Sequence, residues 1–172
     1  MTLKVSRSLL AAAFLAVLAS PLLQAKKVEF PVDDPAFSFT MPDDWTTEMG
    51  KDGRIYCTAP DGFKIGIIAS PALSDADDAK KLLPTVLKGM GDAMKCENYK
   101  TEEVKTGEMG KLWLASLHAQ CKSEGTEMAL NAVVFSLEEG KYFTIVGAAP
   151  EKVDKAHEKE MNELIKSITA VE

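Results

Sequence analysis

The side chains able to do chemistry in this chain are few: two histidines, three cysteines and a surplus of carboxylates. Nucleophilic hydrolysis needs a Ser or Cys beside a positioned base. Only His118 and His157 offer an imidazole, and no GxSxG elbow accompanies them. His118 alternates against Trp113, Leu117 and Ala119, so it points away from their face and reads as a sheet-surface residue. His157 lies in the charged run from Lys155 to Glu160, beside an apolar stripe, and reads as an interfacial helix residue.

Metal sites fare no better. His118 and Cys121 are three apart on a strand pattern, hence on opposite faces. Met90 and Met94 stand one helical turn apart with Cys96 just beyond, a soft set of the kind that suits Cu(I). Methionines at that spacing more often fill a core. The run Asp75-Ala76-Asp77-Asp78 lacks the central Gly and distal Glu of a calcium loop, and helix capping accounts for it. The phosphate-cradling patterns GxxxxGKT and GxGxxG are absent, and Gly89-Met90-Gly91 falls within a helical pattern. A carboxylate pair of the glycosidase kind is not legible from sequence, because Asp and Glu are plentiful and their spatial separation is unknown. No cofactor is expected.

The cysteines carry more information. Cys57, Cys96 and Cys121 include no CxxC, which leaves neither a thioredoxin-type site nor a zinc ribbon. If Gly107-Glu108-Met109-Gly110 is a four-residue hairpin loop, Thr106 faces Lys111, and outward pairing sets Cys96 directly opposite Cys121. We therefore expect a Cys96–Cys121 disulfide with Cys57 left as a free core thiol. The same register sets Lys100 and Glu102 opposite Leu117 and Ala115, which counts against it.

A disulfide fits the address at the start of the chain. Lys4 and Arg7 precede an apolar run from Leu9 to Leu18, then Pro21, then Leu23-Gln24-Ala25. This is the layout of a secretory signal peptide over residues 1–25, with a second, less attractive cut at Val17-Leu18-Ala19 before Pro21. The apolar run is shorter than the roughly 20 residues that span a bilayer. No Cys follows the cut, so no lipid anchor and no stable membrane anchor are expected, and the location is periplasmic or secreted. The leader holds two of the 20 basic residues and none of the 26 acidic ones, so the remaining 147 residues carry eight excess negative charges. That charge argues against nucleic acid and anionic membranes as partners.

The elements that must position these groups follow from periodicity. Residues 26–36, with Pro31 and Pro35 around Asp33-Asp34, read as an extended N-terminal arm. A single α+β domain over residues 37–172 follows. Phe37 to Met41 alternates as a strand stopped by Pro42, and the turn Asp43-Asp44-Trp45 packs its indole back on the sheet. Arg54–Thr58 and Phe63–Ala69 form a hairpin around Asp61-Gly62. A helix begins after Ser74, with Ala79, Leu82, Leu83, Val86, Leu87, Met90 and Ala93 inward; Pro84 must kink it or start a second helix. Tyr99 to Ala149 reads as a four-strand antiparallel meander with turns at 107–110, 122–125 and 138–140. A last helix starts at Pro150 and buries Val153, Ala156, Met161, Leu164, Ile165 and Ile168.

FSFTMPDDW, a central amphipathic helix, and KYFTIVGAAPEKVDKAHEKEMNELIKSI occur in that order. In this order they resemble the PsbP-like superfamily, which includes photosystem II extrinsic subunits, a Ran-GTPase release factor and the envelope protein DcrB. The resemblance spans roughly Phe37 to Ile168 and implies an antiparallel sheet with helices on both faces, an αβα sandwich. It further implies a module that binds or stabilises a protein or small-molecule partner rather than an enzyme. It transfers no site residue. Two other classes stay open: an envelope hydrolase built on scattered carboxylates, and a soft-metal carrier.

Overall fold

A computed structural model describes residues 25–70 and 72–171; of the leader read over residues 1–25, all but Ala25 lies outside the described residues. The chain opens with β1 (Ala25–Phe30) and β2 (Phe37–Pro42), then β3 (Thr46–Met49), β4 (Ile55–Thr58) and β5 (Lys64–Ala69). Helix α1 (Ala76–Ala93) precedes β6 (Glu97–Thr101), β7 (Lys105–Met109), β8 (Leu112–Ser123), β9 (Thr126–Glu138) and β10 (Lys141–Pro150). Helix α2 (Glu151–Lys166) and the short β11 (Thr169–Ala170) complete it. A large antiparallel sheet runs β3-β4-β5-β10-β9-β8-β6, with β7 also paired to β8, and β1-β2-β11 form a small sheet of their own.

Strand alternation divides the core in two. Leu117, Ala119, Leu130, Ala132 and Val134 meet Ala79, Leu83 and Leu87 of α1. Residues of the other parity, Leu112, Phe135, Phe143 and Ile145, meet Leu164 of α2 together with Phe30, Phe37 and Phe39 of the small sheet. Because successive strand side chains point to opposite faces, each central strand serves both clusters.

The first part of the segment read as an arm, Lys26 to Phe30, is a paired strand. Residues of β1 face β2 from Ala25↔Pro42 to Phe30↔Phe37, and Phe30 is buried in the core. Helix α1 is one unbroken helix, so Pro84 does not begin a second. Pro84 is exposed, and the backbone bond it cannot donate is lost on the water-facing side. Ala93, expected inward, is exposed; Gly91 is buried in its place, where a Cβ would stand 3.1 Å from the Tyr99 ring. Asp75 caps the helix by accepting from the Asp78 backbone N–H at 2.8 Å.

The hairpin register differs from the expected one. The β7–β8 loop is the two residues Gly110-Lys111, with Met109 facing Leu112 and Thr106 facing Ala115 rather than Lys111. Gly110 takes φ +63°, which permits so tight a turn. Nearer the cysteines the register shifts again, between Glu97↔Lys122 and Lys100↔Gln120, around Asn98 at φ +53°. Lys100 and Glu102 therefore avoid Leu117 and Ala115. Cys96 still bonds Cys121, across a Cα–Cα distance of 5.5 Å. The pairing holds although the register used to reach it does not.

Candidate functional site

Helix α2 packs on β2 of the small sheet and on β10 and β9 of the large one, and a cleft opens between it and the large sheet. Its floor is Ile65, Ile145, Gly147 and Val133, with Ser116 and Asn131 at the open side; Asp154, Glu158, Met161 and Ile165 form the helix wall. The volume is about 230 Å³. Gly147 keeps the floor low, since a Cβ there would stand 3.2 Å from Ile65 Cγ2. A smaller recess of about 90 Å³ continues from it past Ser116 and His118 to Glu102, Glu103 and Lys105.

A polar chain crosses this floor. Asn131 lies opposite His118 in the β8–β9 register, and its Oδ1 is 2.8 Å from His118 Nδ1. Its Nδ2 donates to Asp154 Oδ1 at 2.7 Å. An ionised carboxylate only accepts, so Asn131 must turn its amide NH₂ to Asp154 and its oxygen to His118, which places a proton on His118 Nδ1. Burial pushes the Asp154 carboxyl above its ordinary range; the His118 charge and the Asn131 hydrogen bond pull the other way without cancelling it. His118 is half-buried and bonded across the strands, a fuller role than the sheet-surface residue expected of it.

The second histidine sits at the other side of α2. His157 is buried, stacked on Phe63 with centroids 4.4 Å apart and edge-on to Trp45 at 5.6 Å. Its Nε2 is 3.0 Å from Asp61 Oδ2 of the β4–β5 turn, and its Nδ1 meets Glu160 Oε2. Desolvation lowers its pKa, but the bonds to Asp61 and Glu160 outweigh it and hold the imidazole above its ordinary value. The His157 hydrogen bond in turn lowers Asp61. This is a structural latch between α2 and the hairpin; Ala156, expected in the buried stripe, is exposed and His157 fills the inward position.

The remaining candidates separate. Cys96 is bonded to Cys121, so its sulfur is withdrawn from the Met90, Met94 and Cys96 set. Both methionines pack against the α1 core cluster. Cys57 is buried, and burial drives its thiol up to about 12. Asp77 and Asp78 pair with Lys80 and Lys81, and Asp78 also accepts from Ser74 Oγ at 2.7 Å. Among the described residues no group of three or more His, Cys, Asp or Glu is placed to hold a metal ion. Asn131 and Asp154 are the site residues that sequence reasoning missed. The available signal was an Asn inside the otherwise apolar run Met128 to Phe135.

A large antiparallel sheet entered through a small N-terminal sheet and closed by a proline-led helix defines a PsbP-like fold. No family model matches the chain, and no curated protein sequence matches it. Solved structures do. Cyanobacterial PsbP (CyanoP) of Synechocystis is similar at TM-score 0.64 and 13% identity, covering 89% of this chain and 96% of that one. LpqN of Mycobacterium tuberculosis, involved in cell envelope biogenesis, is similar at 0.58 and 14%, covering 86% and 92%. A Bacteroides thetaiotaomicron protein reaches 0.57 and 18%, covering 87% of this chain and 49% of its own. At these identities the likeness is one of fold.

Proposed function

We propose that this chain is an exported, non-catalytic binding or assembly module, and that the cleft between α2 and the sheet receives part of its partner. In this reading the domain is an αβα sandwich, with α1 and α2 on opposite faces of the sheet, supported by their meeting side chains of opposite parity on β9. The leader pattern supports export, and among the described residues no helix is long and apolar enough to cross a membrane.

The observation that carries the reading is the cleft. Even with its recess it reaches only the bottom of the roughly 300–1,000 Å³ range of small-molecule pockets, so it suits one side chain of a larger partner better than a bulky substrate or cofactor. A hydrolase reading would rest on Asp154, whose carboxyl is held high. Against it, Asp154 and Glu158 stand one turn apart on the same wall, whereas glycoside hydrolysis needs carboxyls flanking the scissile bond. Asp154 also already accepts from Asn131.

The test is a screen of protein recovered from the native envelope on generic ester, phosphate, peptide and glycoside substrates. The binding reading predicts no turnover. Activity that survives repurification and is abolished by Asp154→Asn would overturn it.

A further inference from the structure

Helix α2 treats its carboxylates unequally. Half-buried Glu151 and exposed Glu163 carry their own cations in Lys155 at 2.6 Å and Lys166 at 3.0 Å. Glu160 is held by His157. Asp154 and Glu158, the two that line the cleft, pair with no lysine or arginine among the described residues. They stand four residues apart, a spacing that brings side-chain bases within about 5–6 Å and makes like charges repel. Across the recess, Glu102 is neutralised by Lys105 at 2.7 Å, while Glu103 adds another negative charge. The surface beside these carboxylates is apolar: Val133 and Ile145 on the floor and Met161 on the wall.

We infer that the cleft is a receptor for a lysine-type side chain of a protein partner, its aliphatic stem on Val133, Ile145 and Met161 and its ammonium shared by Asp154 and Glu158. This rests on the binding-module reading and names the chemistry of that partner. Three features fit a primary ammonium on a flexible stem. The cleft is small and mostly apolar with carboxylates on one wall, which matches a long cationic side chain with an apolar stem and a charged tip. Two neighbouring carboxylates match the three donors of an ammonium, and the Asn131 bond goes to Asp154 Oδ1, with no partner for Oδ2 among the described residues. An incoming cation also relieves the repulsion between the two acids. Burial raises the Asp154 carboxyl, and an ammonium seated against it offsets that penalty by favouring the charged form.

The experiment is a ¹⁵N-resolved NMR titration of the exported chain with N-acetyl-lysine methylamide, against the norleucine analogue of equal stem and no charge. The lysine compound is expected to give saturable shifts at the Asn131 side-chain amide, Ser116 and Asn162, which 0.5 M salt weakens. An Asp154→Asn, Glu158→Gln double variant keeps shape and hydrogen-bonding capacity. It should bind at least ten-fold more weakly, about 1.4 kcal/mol for one partly buried and one exposed ion pair together. Equal binding of the norleucine analogue overturns the lysine assignment and leaves the binding module standing. Shifts confined to residues outside the cleft, or no response to either compound, also overturn it. Failure of the binding-module reading would appear separately, as turnover in the substrate screen.

Discussion

Replacing His157 with Ala removes a buried ring that ties α2 to the β4–β5 turn, and the cost can be worked through. Stacking on Phe63 contributes about 0.5–1.5 kcal/mol beyond its area. Hydrogen bonds to charged groups contribute about 1.5–3 kcal/mol each when shielded. Here Asp61 and Glu160 have side chains 51% and 33% exposed, so about 1 kcal/mol apiece is the better figure. The sum is about 3 kcal/mol at pH 6, or about 6–12 °C in Tm for a domain of this size. Both ring nitrogens face carboxylates, so the full set requires the imidazolium. The folded pKa lies above the unfolded value of about 6.5, so the stabilisation is complete below that pH and is lost as pH rises through the folded pKa. Asp61, held low, contributes above about pH 4 and loses its part in acid. Thermal unfolding of wild type and His157→Ala between pH 5 and 9 measures this. The gap in Tm should be widest near pH 5–6 and shrink by about a third at pH 8.5 as one bond goes. A gap that is constant, or that widens toward pH 9, refutes the imidazolium latch.

Three other outcomes are expected. Reducing the Cys96–Cys121 bridge, which joins residues 25 apart, should cost about 3 kcal/mol by the chain-entropy account; non-reducing peptide mapping that finds Cys57 in a disulfide would contradict the pairing. Cys57, with its thiol near 12, should resist a thiol reagent at pH 8 in the native protein and react fully once the protein is unfolded; fast native labelling would show the site is open. Intact mass of protein from the native envelope should correspond to a chain starting at Lys26, and a retained leader would remove the case for export.

Much of the fold could be read where burial imposes a period. Strand β8 alternates from Ala115 to Cys121 because that parity meets α1, and Asp75, Asp77 and Asp78 mark the α1 start through capping and charge. Strand β3 was missed because all four of its residues are exposed at the sheet edge, which leaves no alternation to see. The pairing of β1 was hidden by Pro31 and Pro35, which break the pattern just beyond it. Register was illegible for a different reason: Gly110 and Asn98 take positive φ, and each local choice moves the pairing. The His118–Asn131–Asp154 chain joins residues distant in sequence, which no local window connects. His157 was more accessible, since Val153, His157, Met161 and Leu164 fall at helical spacing and place it inside the stripe.

The central claim is that the cleft beside α2 engages a partner. It is tested most directly by photo-crosslinking in the native envelope from a reactive residue at Asn162, on the cleft, and from another at Lys51, on the β3–β4 turn. The account predicts a discrete higher-mass adduct from position 162, diminished by Asp154→Asn with Glu158→Gln, and none from position 51. The same adduct from both positions, or none from 162, would contradict it.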